Sequence, residues 1–264
     1  MERGKLATDV PGVVTSSRDV AGGHRVTLEL EGEREAVPAI LLLPDATTKS
    51  GRVPAALLLH GYTSRKERMA EGMGRALLKR GVASLAIDLP FHGERKGGID
   101  QLSFRNPLQL VGGWRLALNE IRLALDYLSD LAAVDAQCLA IVGYSLGSFL
   151  AVVGAANNAR VRVVALASGG DLPAETPFAS VVRAAADPLR AVRKLAGRPL
   201  LMVNGRHDRT IKPSQAERLF AAAGEPKEIR WYNGGHWPPP SEVDFAADWL
   251  AGRLRSSRSA ERRA

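Results

Sequence analysis

The sequence predicts an α/β fold: a mostly parallel central sheet with an antiparallel N-terminal edge and helices on both faces. Three observations predict it. Short, wholly apolar runs recur along most of the chain. Between them lie longer stretches whose apolar residues fall at helical spacing. The first two β-like runs, by contrast, stand close together across a turn-like break.

The N-terminal pair is read from its alternation. Residues 24–31 place Val26, Leu28 and Leu30 on one face, with polar residues between them. A period of two marks a half-buried strand. Residues 36–43 follow after Glu31-Gly32-Glu33-Arg34, and the two runs make an antiparallel hairpin at a sheet edge. The later runs, 55–59, 82–87, 139–142, 161–167, 199–203 and 228–232, are predominantly apolar. Near-continuous hydrophobicity suits parallel strands covered on both faces.

The helices are read from steps of three and four. Leu118, Ile121, Leu125 and Leu128 make one apolar face, with Asn119, Glu120, Arg122 and Asp126 off it. Val243, Ala247, Leu250 and Leu254 repeat the device near the C-terminus. Two connections carry no clear element, 91–106 and 169–198, although 188–196 suits a helix. Long connections at strand C-termini shape binding sites. The reading is one domain over 1–254 with a short insert at about 169–197, then a basic, frayed tail over 255–264.

Composition narrows the function classes. At 264 residues and 45% hydrophobic, the chain can bury a large core. Its one cysteine, Cys138, lies in an apolar run, so it reads as a core residue and fits a reducing compartment. No apolar stretch follows Met1-Glu2-Arg3-Gly4-Lys5, and no run reaches the ~20 residues that span a bilayer. The expectation is a cytoplasmic protein with no membrane partner. The net charge of +8 raises nucleic acid as a partner. Residues 253–264, however, hold five Arg and one Glu, and the other basic residues are scattered without interleaved aromatics. The expectation is therefore no nucleic-acid partner. No zinc-spaced Cys/His cluster, phosphate-binding loop or dinucleotide fingerprint is present in the sequence, so no metal and no cofactor are expected.

The chemistry-bearing segment is Gly143-Tyr144-Ser145-Leu146-Gly147, between an apolar strand and a helix of small and apolar residues. This is G-x-S-x-G in the strand–turn–helix setting that presents a serine hydroxyl at the top of a sheet. The bland alternative is a tight glycine-rich turn whose serine merely caps the helix. A nucleophilic serine needs a base, and the base needs an orienting acid. Of five histidines, only His207 and His236 follow Ser145. His236 sits in Asn233-Gly234-Gly235-His236 after the last strand, where a loop can bring imidazole over the serine. Asp208 follows the preceding strand and is placed to accept from that ring. Asp171 and Glu175 are the runners-up for the acid, and His207 reads as a loop residue. An oxyanion hole requires two backbone donors. Leu146 supplies one, and Tyr62 in His60-Gly61-Tyr62-Thr63 the other, with Thr63 as the alternative. His60 reads as structural.

With these motifs in order, the chain resembles the α/β-hydrolase superfamily over roughly 36–254. Asp88-Leu89-Pro90-Phe91-His92-Gly93 also resembles a segment that is architectural in many members, which leaves His92 outside the active site. Within the superfamily the chain is similar to small bacterial esterases and dienelactone-hydrolase-like proteins. It differs from the latter in having Ser rather than Cys as nucleophile. It differs from peptidase-like relatives in having Ser148 where a second glycine is common. The resemblance implies a serine carboxylesterase acting on a small-molecule ester. Tyr62, Phe91, Phe178 and Trp237 are the candidate pocket walls, although packing suits Trp237, ahead of Pro238-Pro239-Pro240, better. Thioesterase, lactonase, C–C hydrolase or perhydrolase chemistry would use the same triad. A non-catalytic binding protein relying on its basic tail is the remaining alternative.

Overall fold

A computed structural model describes residues 12–45, 51–98, 106–172 and 179–261. The chain opens with β1 (Val13–Val20), β2 (Gly23–Leu30), β3 (Val37–Pro44) and β4 (Val53–Leu59). A helical stretch follows: α1 (Lys66–Met69), a π-helical turn (Ala70–Gly74) and α2 (Arg75–Leu78). Then come β5 (Ala83–Ile87), α3 (Pro107–Asp130), β6 (Val134–Tyr144), α4 (Leu146–Ala156) and β7 (Val161–Ala167). The remainder is α5 (Ala179–Ala186), α6 (Pro188–Arg193), β8 (Leu200–Gly205), α7 (Pro213–Ala222), β9 (Lys227–Tyr232) and α8 (Pro240–Glu261).

The strands form one sheet in the order β1-β2-β3-β5-β4-β6-β7-β8-β9. Pairing is antiparallel from β1 through β3 to β5 and parallel from there onward. The expected hairpin is β2 and β3. It is not the outermost pair, because β1 adds a further strand that the sequence did not reveal. All but the last residue of β1 are exposed, so it carries no burial pattern.

The sheet separates two cores, as period-two strands require. Ala55, Leu57 and Leu59 of β4 face one, with Ile121, Leu125 and Leu128 of α3 and Leu150 of α4. Ala56 and Leu58 face the other, with Leu77 of α2 and Ala247, Leu250 and Leu254 of α8. Strand β9 departs from the double-sided expectation. It is the sheet edge, and Glu228 and Arg230 on it are exposed.

Helix α8 continues to Glu261, where the sequence reading placed a frayed tail from 255. Leu254, fully buried, anchors its last core turn. The residues beyond contain neither Gly nor Pro and include good helix formers, Arg, Ala and Glu, so nothing in the sequence stops the helix there. Among the described residues no helix is long and apolar enough to cross a membrane.

Register decides where the loops meet. Leu59 stands opposite both Ile87 and Gly143, Tyr144 opposite Ala167, and Gly205 opposite Tyr232. The C-terminal ends of six parallel strands therefore lie along one edge. Ligands of open α/β sheets bind at that edge.

Candidate active site

Strand β6 ends at Tyr144 and α4 begins at Leu146, so Ser145 alone reverses the chain. Its φ of 51° and ψ of −114° lie in the left-handed half of the map. For a residue with a Cβ, such a conformation costs about 1–3 kcal/mol and persists only where neighbours enforce it. The flanking glycines do so by letting the strand and helix touch. A Cβ on Gly143 would stand 2.2 Å from the Gly147 carbonyl oxygen, and one on Gly147 2.3 Å from that of Leu59. The Ser145 N–H donates to the Ala167 carbonyl at 3.0 Å, and the Ser148 N–H to the Ser145 carbonyl at 2.9 Å. The serine side chain makes no capping bond to α4. Its hydroxyl instead meets His236, Oγ to Nε2, at 2.9 Å.

His236 is held from behind. Its Nδ1 lies 2.8 Å from Asp208 Oδ2. The carboxylate can only accept, so Nδ1 carries the proton and Nε2 is left to accept from Ser145. The other Asp208 oxygen accepts from the Thr210 N–H at 2.8 Å and the Ile211 N–H at 3.0 Å. Asp208 is buried, and its orientation is thus set by two backbone donors. The His236 carbonyl accepts from Ser168 Oγ at 2.5 Å and from Tyr144 Oη at 3.3 Å. Close approach of the β8 and β9 loops depends on Gly205, where a Cβ would stand 2.1 Å from the Gly235 carbonyl oxygen. His207 is exposed and joins the same loop, its Nε2 2.8 Å from Asn233 Oδ1. That is the loop role read from the sequence.

The loop after β4 lies against the serine. A Cβ on Gly61 would stand 3.2 Å from Ser145 Cβ, which brings the Gly61–Tyr62 backbone beside the nucleophile. Leu146 is the first residue of α4, among the amides that have no acceptor within their own helix. Thr63 follows with φ of 59°. His60 fastens this loop to the next one. Its Nδ1–H donates to the Gly61 carbonyl at 2.8 Å, and its Nε2 accepts from the Leu89 N–H at 3.0 Å. Burial lowers its pKa to about 4, so it is neutral at physiological pH.

An apolar pocket of about 80 Å³ opens beside Leu146. Tyr62 and Phe91 line it, with Leu110, Trp114 and Leu150. Trp237 takes the packing role that the sequence favoured over a pocket wall, whereas His92 departs from its reading. Trp237 does not join this wall; its ring stacks on Tyr144, centroids 4.8 Å apart, and carries the Arg68 guanidinium 4.7 Å above it. That stack supports the His236 loop and accounts for the aromatic residue that follows the histidine. His92, read as outside the site, lies in the pocket wall, because the turn after β5 folds back under Tyr62. Phe178 and Glu175 lie outside the described residues. Trp114 and its neighbours on α3 were not foreseen. Gly112-Gly113 ahead of a tryptophan inside a helical pattern was the available signal.

Asp171, a runner-up for the acid, is committed elsewhere. It accepts from Arg183 Nη2 at 2.7 Å and Arg218 Nε at 3.1 Å, which ties the insert to α7. Among the described residues no group of three or more side chains is arranged to hold a metal ion.

The family model described as "Alpha/beta hydrolase family" matches residues 56–198, more than half of the chain. The polyketide transferase ATR5 of Stachybotrys chlorohalonatus (strain IBT 40285) is 30% identical over 197 residues, 73% of this chain and 57% of that protein. The putative hydrolase YtaP of Bacillus subtilis (strain 168) is 29% identical over 150 residues, 52% of this chain and 49% of that protein. The chain thus spans about half the length of these curated relatives. Among solved structures, a cold-adapted esterase from an Arctic intertidal metagenomic library superposes with a TM-score of 0.73 at 22% identity, covering 91% of this chain and 98% of that one. That likeness is one of fold. The matched span runs from β4 through the Ser145 turn to the end of the insert, and on this evidence the chain belongs to the α/β-hydrolase family.

Proposed function

We propose that the protein is a serine carboxylesterase acting on small-molecule esters with short or medium acyl groups. One observation carries the reading: the unbroken line from Ser145 Oγ through His236 to the buried Asp208, at 2.9 and 2.8 Å, on the C-terminal edge of the sheet. Ser145 Oγ attacks the ester carbonyl carbon while His236 Nε2 takes its proton. Asp208 stabilises the imidazolium so formed. The tetrahedral oxyanion is met by the amides of Leu146 and Tyr62. As the intermediate collapses, the C–O bond breaks, and His236 returns the proton to the leaving alcohol. Water then repeats the sequence on the acyl-enzyme, releasing the acid. The small pocket of Phe91, Trp114 and Leu150 favours a short acyl group.

The test is twofold. Wild-type protein should be labelled by a fluorophosphonate and Ser145→Ala should not; equal labelling would refute the nucleophile. Rates on p-nitrophenyl acetate, a long-chain ester and an acyl-CoA thioester then separate the bond types. A fast thioester rate beside a negligible ester rate would replace esterase with thioesterase. Since one relative is named as a polyketide transferase, products formed with added methanol should also be analysed. Methyl ester outweighing free acid would make an acyl transferase the better reading.

A further inference from the structure

Strand β7 lies beside β6 and leads, like it, into a serine at positive φ. Ser168 has φ of 50° and Ser145 51°. A residue with a Cβ adopts that conformation only where its surroundings enforce it, whereas glycine takes it freely. Gly169 and Gly170 follow directly, yet the position itself holds a fully buried serine. Such a residue calls for a use of its hydroxyl.

The Ser168 turn is firmly seated. The Ser168 N–H donates to the Val203 carbonyl at 2.9 Å, and the Gly169 carbonyl accepts from the buried Asn204 Nδ2 at 2.8 Å. From this support the Ser168 hydroxyl donates to the His236 carbonyl at 2.5 Å. A carbonyl oxygen can only accept, so the proton of this bond comes from the serine. The same oxygen has a second lone pair, and Tyr144 Oη donates to it at 3.3 Å. Tyr144 directly precedes Ser145.

His236 needs such a hold. It follows Gly234-Gly235 in a loop where Asn233, Gly235 and Trp237 are exposed. Tyr232 Oη secures the preceding peptide through the Gly235 carbonyl at 2.7 Å. The ring nitrogens meet Asp208 and Ser145, which restrains the end of the side chain but not its root. The carbonyl carbon is bonded to Cα, so donors on its oxygen restrain the root.

We propose that Ser168 and Tyr144 are positioning residues whose hydroxyls share the His236 carbonyl and set the reach of its ring to Ser145 Oγ. The inference rests on the esterase reading above. Both residues act through the backbone of the proposed base, so their loss alters turnover rather than substrate binding. Misplacing a reacting group by about 1 Å can cost on the order of 10²-fold in rate.

The experiment is a double-mutant cycle on p-nitrophenyl butanoate with Ser168→Ala and Tyr144→Phe, each of which removes one oxygen. Ser168→Ala should lower kcat by about tenfold and Tyr144→Phe, which loses the longer bond, by about threefold, with KM within about twofold of wild type. With both hydroxyls gone the carbonyl is released, so the double variant should lose about 100-fold, more than the product of the single losses. The rate of fluorophosphonate labelling, which draws on the same base, should fall in step. If Ser168→Ala does not fold, Ser168→Gly, which takes the positive φ without strain, replaces it in the cycle. A double variant with wild-type kcat overturns the proposal, as do single losses that simply multiply, losses confined to KM, or labelling at the wild-type rate. Failure of the esterase reading looks different: the wild type itself would neither hydrolyse the ester nor take up the fluorophosphonate.

Discussion

The two strand ends that flank β4, those of β5 and β6, lead into turns that each force a non-glycine residue to positive φ: Phe91 at 66° and Ser145 at 51°. They are held by different physics. At Ser145 the constraint is steric and local, two glycines and a backbone hydrogen bond to Ala167. At Phe91 it is electrostatic and assembled from distant parts of the chain. Buried Asp88 accepts from the Lys66 backbone N–H at 2.8 Å, Lys66 Nζ at 2.9 Å and the Glu94 N–H at 3.0 Å. Buried Arg95 is bracketed by Glu120 at 2.7 Å and Glu35 at 2.8 Å. Burial works against the Lys66 ammonium, but its carboxylate neighbours, Asp88 foremost, outweigh it and leave its pKa above the usual lysine value. The first turn presents the Ser145 hydroxyl to His236, and the second builds a pocket wall. The steric turn is legible in five consecutive residues, whereas the charged one draws on Lys66, Glu35 and Glu120, which lie far from its own Asp88–Gly93 segment in the sequence.

The comparison can be broken at four points. The largest effect belongs to the steric turn. Ser145→Ala should lower kcat on p-nitrophenyl butanoate by on the order of 10⁴–10⁶-fold with an unchanged melting temperature. A loss under tenfold would remove the serine from the chemistry.

At the electrostatic turn, Lys66→Met leaves Asp88 buried without its cation and should cost about 3–5 kcal/mol in urea unfolding. A loss below ~1 kcal/mol would show that the charge network does not hold the Phe91 turn.

Third is the joint between the two turns, His60. Its native pKa of about 4 lies below the ordinary histidine value of 6.5, so the unfolded chain binds the proton more readily. Stability contributed by neutral His60 is complete above pH 6.5, falls as pH drops, and is lost by about pH 4, on the order of 3 kcal/mol in all. Unfolding free energies of the wild type and His60→Asn between pH 7 and 4 should show the steeper fall in the wild type; parallel curves would overturn it.

The smallest effect concerns substrate size. Trp114→Ala enlarges the pocket and should shift the hexanoate-to-acetate ratio of kcat/KM upward by about tenfold. An unchanged ratio would place the acyl group elsewhere.

What the sequence made legible follows the same division. The inner parallel strands were readable because both of their faces are buried, and the candidates Ser145, Asp208 and His236 because each lies just after a strand, in a recognisable chain order. Strand β1 was not, since it joins the sheet through backbone pairing with β2 while its side chains stay in solvent. Trp114 reads as one more apolar residue of α3, and apart from the Gly112-Gly113 pair before it nothing local tells a helix residue that lines a pocket from one that fills a core. Trp237 is the converse case: an aromatic next to a candidate base suggests a pocket, but packing was the better reading, and its ring stacks on Tyr144.

Helix α3 lends Leu110, Gly113 and Trp114 to the pocket and contributes no atom to the Ser145–His236–Asp208 line. The two are separately inherited, in effect. Under the esterase reading proposed above, substitutions on one helical face, residues 110–117, can change the acyl group accepted and leave the strand-end residues as they are.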